Sequence, residues 1–350
     1  MKLIVVDLGA VWGGQEKYSA LLMEGLKSSG NEIISVNSQP RLNGFSDMAV
    51  SVSESYMGFW QIRRKIRKLI ERENVDLIHF NGNRAMYLAA LGGWGIPVIA
   101  TKHLPYRVAG KLTVRQAFAR TVAAILFSRF SAIICVAQAT YLDLPKCLRK
   151  LAVVIVNGVK GPKSVHGRYC TKAPVLRVCY VARLAEHKGI GHLLAAVQIL
   201  VDEGYTIELH IAGSGPLKDK VELIAARNST QIFYYGFVED PTFIYENSDV
   251  CCLPSEHEGM PLNILEAMAF GLPVLGTNIP GVSEVVSDHN GWLMPDNRVP
   301  TIVEYLRDII RNPMVLAEKA IVARQGFEEN FSVDKMVQRT LDVYLKAIRN

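Results

Sequence analysis

Several features that mark other protein classes are scarce or absent in this sequence of 350 residues. Its six cysteines include no Cys-x-x-Cys pair, which excludes the usual zinc-finger and redox motifs. It contains no Asp-x-Asp pair, the close pair of carboxylates that commonly holds Mg²⁺ or Mn²⁺. It also has no repeat and no compositionally biased tract, so we expect the whole chain to fold.

Long apolar runs are equally scarce. The uncharged stretch Ala85 to Thr101 contains three glycines and Pro97, and it falls short of the roughly 20 residues that span a bilayer. The start, MKLIVVDLG, has too short an apolar core for a signal peptide and predicts a first β-strand. The cysteines lie mostly in apolar runs and are expected to be buried thiols. These features predict a cytoplasmic protein without a membrane span.

The length and the apolar pattern predict two α/β domains. A chain of this length exceeds the roughly 250 to 300 residues at which single cores stop growing. Short apolar runs such as Leu3 to Val6 and Leu77 to Phe80 alternate with segments of helical period, which is typical of a parallel sheet covered by helices. The pattern restarts after the polar stretch Gly161 to Pro174. We therefore predict domains at 1–165 and 166–330, and a C-terminal helix at 331–350 that packs across the domain boundary.

The strongest chemical signal follows the predicted strand Val250 to Leu253. The segment from Glu258 to Val274 reads EGMPLNILEAMAFGLPV, a short loop followed by a helix. Pro261 suits the first helical position, so the free amides of Leu262 and Asn263 would point at the positive end of the helix dipole. This geometry predicts a phosphate site.

Two carboxylates flank that predicted phosphate site. Glu266 lies about one helical turn further on, roughly 6 Å along the axis, where it can accept both ribose hydroxyls of a nucleotide. Glu258 lies in the preceding loop, on the side where a sugar would be. The two acids would therefore bracket a nucleotide sugar, although an arbitrary Glu pair at this spacing is more often a loop acid and a helix-face acid.

The surrounding residues favour the functional interpretation. Two glutamates are separated by seven residues and followed by Ala-Met-Ala and Gly-x-Pro-Val. This pattern resembles the hallmark of the group 1 retaining glycosyltransferases, family 4, which have the GT-B fold. Further motifs of that family occur in order along the chain, namely Gly13-Gly14-Gln15-Glu16, Asn157-Gly158-Val159, Arg183 with Lys188-Gly189, Ala212-Gly213-Ser214-Gly215-Pro216, and Gly281 to Glu284. The resemblance covers essentially the whole chain.

The resemblance implies a set of site residues. It implies that Arg183, Lys188 and Glu258 act in catalysis, and that His103 faces the donor sugar and phosphate from the N-terminal domain. The residues that it implies in donor binding are Gly13, Gly14, Gly213, Gly236, Phe237, Val238, Gly259, Met260, Leu262, Asn263 and Glu266. Because backbone groups near Gly236 to Val238 would hold the base, its identity is not readable, although a UDP-sugar is favoured.

The implied fold is two Rossmann-like domains facing across a cleft, the N-terminal one for the acceptor and the C-terminal one for the nucleotide. The implied reaction is sugar transfer with retention, without metal or other cofactor, because Arg183 and Lys188 offset the charge on the leaving diphosphate. A glycan or glycolipid of the cell envelope, such as lipopolysaccharide, is the expected acceptor, and no nucleic-acid partner is expected. A nucleotide-sugar epimerase and an inactive binding protein of the same fold are the alternatives.

An NAD-dependent oxidoreductase is a weaker alternative. The turn Gly9-Ala-Val-Trp-Gly13-Gly14 does not match the G-x-G-x-x-G pattern, and no suitable acid follows about 20 residues later at the end of a second strand.

The charge is distributed unevenly along the chain. Residues 1 to 160 contain 21 Lys and Arg against 10 Asp and Glu, an excess of 11 positive charges, whereas the rest has 18 against 23. The densest basic segment, Phe59 to Ile70, places Ile62, Ile66 and Leu69 on one helical face. It predicts either docking on the anionic inner face of the cytoplasmic membrane or a solvated helix packed on its own sheet.

Overall fold

A computed structural model of the protein describes residues 1–9, 11–52, 58–106, 113–164 and 175–349. Its strands are β1 (Lys2–Asp7), β2 (Glu32–Asn37), β3 (Met48–Ser51), β4 (Leu77–Asn81), β5 (Val98–Lys102), β6 (Ala132–Cys135), β7 (Ala152–Val154), β8 (Leu176–Val181), β9 (Ile207–Ala212), β10 (Ile232–Tyr234), β11 (Val250–Leu253), β12 (Val274–Thr277) and β13 (Gly291–Met294). Its α-helices are α1 (Gly14–Ser28), α2 (Phe59–Glu73), α3 (Gly82–Ala89), α4 (Val114–Leu126), α5 (Gln138–Asp143), α6 (Ile190–Asp202), α7 (Lys218–Arg227), α8 (Thr242–Glu246), α9 (Leu262–Ala269), α10 (Val299–Arg311), α11 (Pro313–Asn330) and α12 (Val333–Arg349).

The chain divides into two compact units. The first comprises Met1–Gly158 together with Val333–Asn350, and the second comprises Val159–Ser332. The boundary predicted at 165/166 lies outside the described residues, and the contacts divide the chain at Gly158 and Val159 instead. Each unit therefore contains one sheet.

The first unit is a doubly wound parallel sheet. Its strand order is β3-β2-β1-β4-β5-β6-β7, and neighbouring strands run parallel. The central strand β4 is buried at all five positions, because helices cover both of its faces. Chain order reverses direction between β1 and β4, so the carboxyl ends of these two strands flank the switch point of the sheet.

Helix α2 contributes its apolar side to the core of the first unit. Ile62, Ile66 and Leu69 are buried in the same cluster as the strand residues Ile4 and Phe80. The rest of α2 is largely exposed and carries five exposed basic residues, Arg64, Lys65, Arg67, Lys68 and Arg72. The apolar face of the basic helix therefore packs on its own sheet.

The C-terminal helix α12 also belongs to the first unit. The Tyr344 hydroxyl hydrogen-bonds Nδ1 of His79 on β4, and both side chains are fully buried. A Cβ at Gly25 of α1 would collide with Val337 of α12, so the two helices pack closely. The last helix thus completes the layer that covers the first sheet.

The second unit repeats the same architecture. Its strand order is β10-β9-β8-β11-β12-β13, again with parallel neighbours. Chain order reverses between β8 and β11, which places the switch point of this sheet at their carboxyl ends. Among the helices of the described ranges, none is long and apolar enough to cross a membrane.

Candidate active site

A cation and a carboxylate meet at the switch point of the second sheet. Lys188 lies in the loop after β8 and Glu258 in the loop after β11, and Nζ of Lys188 is 2.5 Å from Oε1 of Glu258. Their side chains are 20% and 8% exposed, so little water competes for this ion pair. The strand order thus brings together two residues that are 70 positions apart in the sequence.

The loop after β8 is held by a buried hydroxyl. Tyr180 donates a shared hydrogen bond to the carbonyl oxygens of Arg183, at 3.3 Å, and Lys188, at 3.4 Å. The Arg183 side chain itself is exposed and makes no hydrogen bond or ion pair with any residue that the structure describes. A fixed backbone therefore presents one paired cation and one exposed cation at the same sheet edge.

Helix α9 begins one residue later than the sequence predicted. Pro261 is the residue before the helix, with an extended ψ of 119°, and Leu262 opens it, so the placement of Pro261 at the first helical position is wrong. Asn263 donates from Nδ2 to the carbonyl oxygen of Val181 at the end of β8, 2.8 Å away. This bond fixes the amino end of α9 against the switch point. Gly259, Met260 and Leu262 are buried around it.

Glu266 is buried one turn into α9, with 8% of the residue exposed. Tyr245 of α8 donates a hydrogen bond to its Oε2 over 3.0 Å. Burial, followed by the nearby carboxylate, raises the pKa of Tyr245 well above its usual value, so the hydroxyl keeps its proton and acts as the donor. The carboxylate orientation is therefore set from within the unit.

The loops after β9 and β10 are linked to each other. The amide of Gly213 donates to the carbonyl oxygen of Gly236 over 2.7 Å, and the Tyr234 hydroxyl donates to the carbonyl oxygen of Gly213 over 3.0 Å. Gly213 has φ of 146°, and a Cβ there would collide with the carbonyl oxygen of Ala182. Only glycine fits this close approach of loops. Phe237 beyond it is half exposed, and Val238 is partly buried.

The first sheet carries a second polar cluster at its own switch point. Gly13, the residue before α1, and Gly14, the first residue of α1, are exposed. The Glu16 carboxyl is buried beneath them, where desolvation and, to a lesser extent, Asp7 raise its pKa to about 7, while backbone hydrogen bonds from Glu16 and Gly13 oppose that rise. The Gly13 amide, in the loop that the family resemblance implies in donor binding, is thus a partner of Glu16.

His103 follows β5 at the same edge of the first sheet. Its Nε2 lies 2.7 Å from Oδ1 of Asn81, the last residue of β4, and Tyr18 contacts its ring edge-on with centroids 4.9 Å apart. Burial, followed by the charge of Lys102, lowers the pKa of His103 to about 3. The imidazole is therefore neutral at physiological pH.

The predicted residues fall into two groups. Arg183, Lys188, Gly213, Gly236 to Val238 and Glu258 to Glu266 lie at the carboxyl edge of the second sheet, and Gly13, Gly14 and His103 lie at that of the first. The sequence reasoning missed Asn81 and Tyr245, which orient His103 and Glu266. Within the described ranges no group of three or more His, Cys, Asp or Glu side chains could hold a metal ion.

Two doubly wound units in one chain, each with polar residues at its switch point, are typical of the GT-B fold. Residues 172–326 match the model of the family described as "Glycosyl transferases group 1", and residues 12–160 match "Glycosyltransferase Family 4". The protein belongs to the group 1 glycosyltransferases of family 4.

Relatives agree with this family. An uncharacterised glycosyltransferase of Haemophilus influenzae is 25% identical over 95% of this chain and 96% of its own length. The amylovoran biosynthesis glycosyltransferase AmsK of Erwinia amylovora is 30% identical over 45% of this chain, which spans 41% of the length of AmsK. The crystal structure of Anabaena HepE in complex with UDP is 18% identical, covers 99% of this chain and 100% of its own, and has a TM-score of 0.82. The relatives of this chain thus include a glycosyltransferase of amylovoran biosynthesis.

Proposed function

We propose that the protein transfers a sugar from a nucleotide diphosphate sugar, with a UDP-sugar favoured, to a glycan or glycolipid of the cell envelope, with retention of configuration and without a metal ion. The observation that carries the proposal is the Lys188–Glu258 pair beside the amino end of α9. A diphosphate bound there would meet both a cation and a helix N-terminus. HepE, which has the same fold, has been solved with UDP and with UDP-glucose.

The donor would bind along the carboxyl edge of the second sheet. The first amides of α9, at Leu262 and Asn263, have no partner within the helix and can donate to phosphate oxygens. The Glu266 carboxylate, held by Tyr245, can accept two ribose hydroxyls. The linked loops at Gly213 and Gly236 would carry the base, which requires backbone contact more than side-chain chemistry.

The chemistry would be charge stabilisation and positioning. The bond from the anomeric carbon to the β-phosphate oxygen breaks, and the acceptor oxygen bonds to the same face of that carbon. The acceptor hydroxyl gives its proton to the departing phosphate, which leaves as part of the nucleoside diphosphate. Lys188 and Arg183 would offset the negative charge that grows on this phosphate, and this is our reason for proposing that no metal is needed.

The experiment is a panel of UDP-, GDP- and ADP-sugars with the purified protein and an extract of envelope glycolipids. We expect nucleotide release with one donor only, an axial product linkage from an axial donor by NMR, and unchanged turnover in EDTA. Release that stops in EDTA and returns with Mg²⁺ or Mn²⁺ would overturn metal independence. Conversion of the donor to a second nucleotide sugar without acceptor would instead identify an epimerase, and donor binding without turnover an inactive binding protein.

We also propose that the first unit docks on an anionic membrane to reach its acceptor. The support is the exposed basic side of α2 and the excess of 11 positive charges in residues 1 to 160. Because the apolar side of α2 is buried, apolar contact with lipid would come from α4, where Val114, Phe118 and Ile125 are 89%, 70% and 72% exposed. Each basic residue near such a surface contributes about 1 kcal/mol.

Sedimentation with vesicles tests the docking. We expect binding to anionic vesicles, none to zwitterionic ones, and release by high salt. Replacing Arg64, Lys65, Arg67 and Lys68 by Gln should weaken binding, as should F118S. The matched control is L223S, which changes a leucine that is 54% exposed in the second unit. Equal binding to both vesicle types, or to neither, would contradict the proposal.

A further inference from the structure

Asp7, the last residue of β1, is the centre of a buried hydrogen-bond network. Only 1% of the residue is exposed. Its Oδ1 accepts from Nε2 of Gln15, at 2.9 Å, and from the amide of Gly9, at 3.0 Å. Its Oδ2 accepts from the hydroxyl of Ser19 and from Nδ2 of Asn81, the latter at 2.9 Å. The carboxylate is thus fixed by four donors.

This network determines which way the Asn81 amide points. Besides Asp7, its nitrogen Nδ2 lies 2.7 Å from Oγ of Ser19 and 3.2 Å from the carbonyl oxygen of Gln15. A carboxylate and a backbone carbonyl can only accept, so the atom that faces them must be the NH₂ group. The amide oxygen of Asn81 must then face His103.

The Asn81 oxygen in turn determines the proton position on His103. Oδ1 lies 2.7 Å from Nε2 of the imidazole and can only accept, so Nε2 must carry the hydrogen. A neutral imidazole has one N–H, and Nδ1 is therefore left with a lone pair. Nδ1 makes no hydrogen bond to any residue within the described ranges.

The other charged and titratable groups near the ring do not compete for this proton. Lys102, the neighbour in sequence, disfavours a second proton on the ring, and Tyr18 contacts it only edge-on. The buried His79 on β4 is itself held neutral, since burial and then His103 lower its pKa to about 3. The charge of Asp7 acts on Glu16 of α1 and raises the pKa of its carboxyl.

We propose that Asn81, oriented by Asp7, is a positioning residue that fixes the Nε2–H tautomer of His103, so that Nδ1 serves as a hydrogen-bond acceptor. This inference rests on the proposed function and on the family resemblance, which implies that His103 faces the donor sugar and phosphate. A nitrogen with a lone pair accepts from a sugar hydroxyl and repels a phosphate oxygen. His103 would therefore contact a hydroxyl of the donor sugar or the acceptor, and not the diphosphate, which the family resemblance had also assigned to it.

The tautomer is measured directly by NMR of the ¹⁵N-labelled full chain, without any activity assay. In the wild type we expect His103 to show a protonated Nε2 and an unprotonated Nδ1 throughout about pH 5 to 8. The Nε2–H tautomer should outnumber the Nδ1–H tautomer on the order of tenfold or more, because the Nδ1–H form would bring the lone pair of Nε2 against a lone pair of the Asn81 oxygen. H103Q assigns the signals. A protonated Nδ1 in the wild type would overturn the proposal.

Variants separate orientation from packing. N81L keeps the volume but removes the acceptor, and we expect both tautomers of His103 to become populated. N81D keeps an oxygen opposite Nε2, with its carboxyl sharing a proton with Asp7, and should retain the Nε2–H tautomer. S19A is the control that loosens the network without changing the acceptor. Should N81L fail to fold, D7N tests the same step, because it allows the Asn81 amide to turn over and populate Nδ1–H.

Activity measurements then test the role of the tautomer. We expect turnover to fall on the order of tenfold in N81L and to be largely retained in N81D, with donor KM changed less than twofold in both. If His103 keeps the Nε2–H tautomer in N81L, Asn81 does not position the proton on His103. If N81L loses the preference for the Nε2–H tautomer but keeps its turnover, the tautomer is not important for sugar transfer. If the wild type transfers no sugar at all, the proposed function fails, while the NMR result still decides the positioning.

Discussion

The ion pair between Lys188 and Glu258 allows structural and catalytic effects of one substitution to be separated. Nζ and Oε1 are 2.5 Å apart, in side chains that are only 20% and 8% exposed. A hydrogen bond between charged groups contributes about 1.5 to 3 kcal/mol, and removing one partner leaves the other charge poorly solvated. We expect K188Q to lower the melting temperature of the second unit by roughly 4 to 8 °C.

The same substitution should lower turnover through a different cause. If Lys188 offsets charge on the leaving phosphate, its loss costs about 3 to 4 kcal/mol of transition-state stabilisation, or roughly 10² to 10³ in kcat. Adding E258Q removes the unpaired carboxylate. The double variant K188Q/E258Q should therefore regain most of the melting temperature and none of the turnover.

Calorimetry and initial rates at saturating donor provide the two readouts. The matched control is K220Q, which changes an exposed lysine of α7 and should leave both readouts unaltered. Two results would refute the reasoning. One is a turnover of K188Q within threefold of the wild type, and the other is a double variant no more stable than K188Q.

Three further predictions concern separate parts of the two units. E266Q should raise donor KM about tenfold or more with little change in kcat, because a neutral amide accepts more weakly from ribose hydroxyls. Equal donor KM values in the wild type and in E266Q would exclude a role of Glu266 in binding the ribose. G281A should lower the free energy of unfolding by about 1 to 3 kcal/mol, since Gly281 has φ of 86° and a Cβ there would collide with the Gly259 carbonyl. G191A, at a position on α6 with open space around it, should instead raise the free energy of unfolding by about 0.5 to 1 kcal/mol. His79 has its pKa lowered from 6.5 to about 3. As pH falls, His79 is therefore protonated in the unfolded chain before it is protonated in the folded protein. The free energy of unfolding should decrease from about pH 6.5 towards pH 3 by up to about 1.4 kcal/mol per pH unit, and less steeply in H79Q. The same pH dependence of the melting temperature in the wild type and in H79Q would contradict this.

The sequence predicts those strands that are apolar at nearly every position. Leu77 to Phe80 is such a run, and β4 follows it closely. The same criterion misses β2, which begins with a charge at Glu32, and β3, an edge strand whose four residues alternate between partly buried and exposed. It also misses α11, because the exposed Val315 and Ile321 prevent a clear division of the helix into an apolar and a polar face. Strands that are apolar at nearly every position are therefore readable, whereas an interior strand with polar residues, such as β2, and an edge strand, such as β3, are not.

The candidate site divides in a similar way. Lys188, Glu258 and Glu266 occur in contiguous motifs with fixed spacing, so the sequence alone predicts them as site residues. Asn81 takes its role from Asp7, 74 residues earlier, and only the adjacency of β1 and β4 brings the two together. A usable signal was nonetheless present, because a polar residue directly follows each of two apolar runs that were predicted to be strands of a parallel sheet.

The position of α12 has a consequence for synthesis on the ribosome. His79 meets its partner Tyr344 only after residues 159 to 332 have been made, which takes roughly 9 to 35 s at about 5 to 20 residues per second. During that interval the first unit lacks the helix that covers α1, and the sequence of the second unit is complete before that helix is made. We therefore expect the second unit to complete its folding first. A fragment ending at residue 158 would expose apolar surface and should aggregate unless residues 333 to 349 are attached to it.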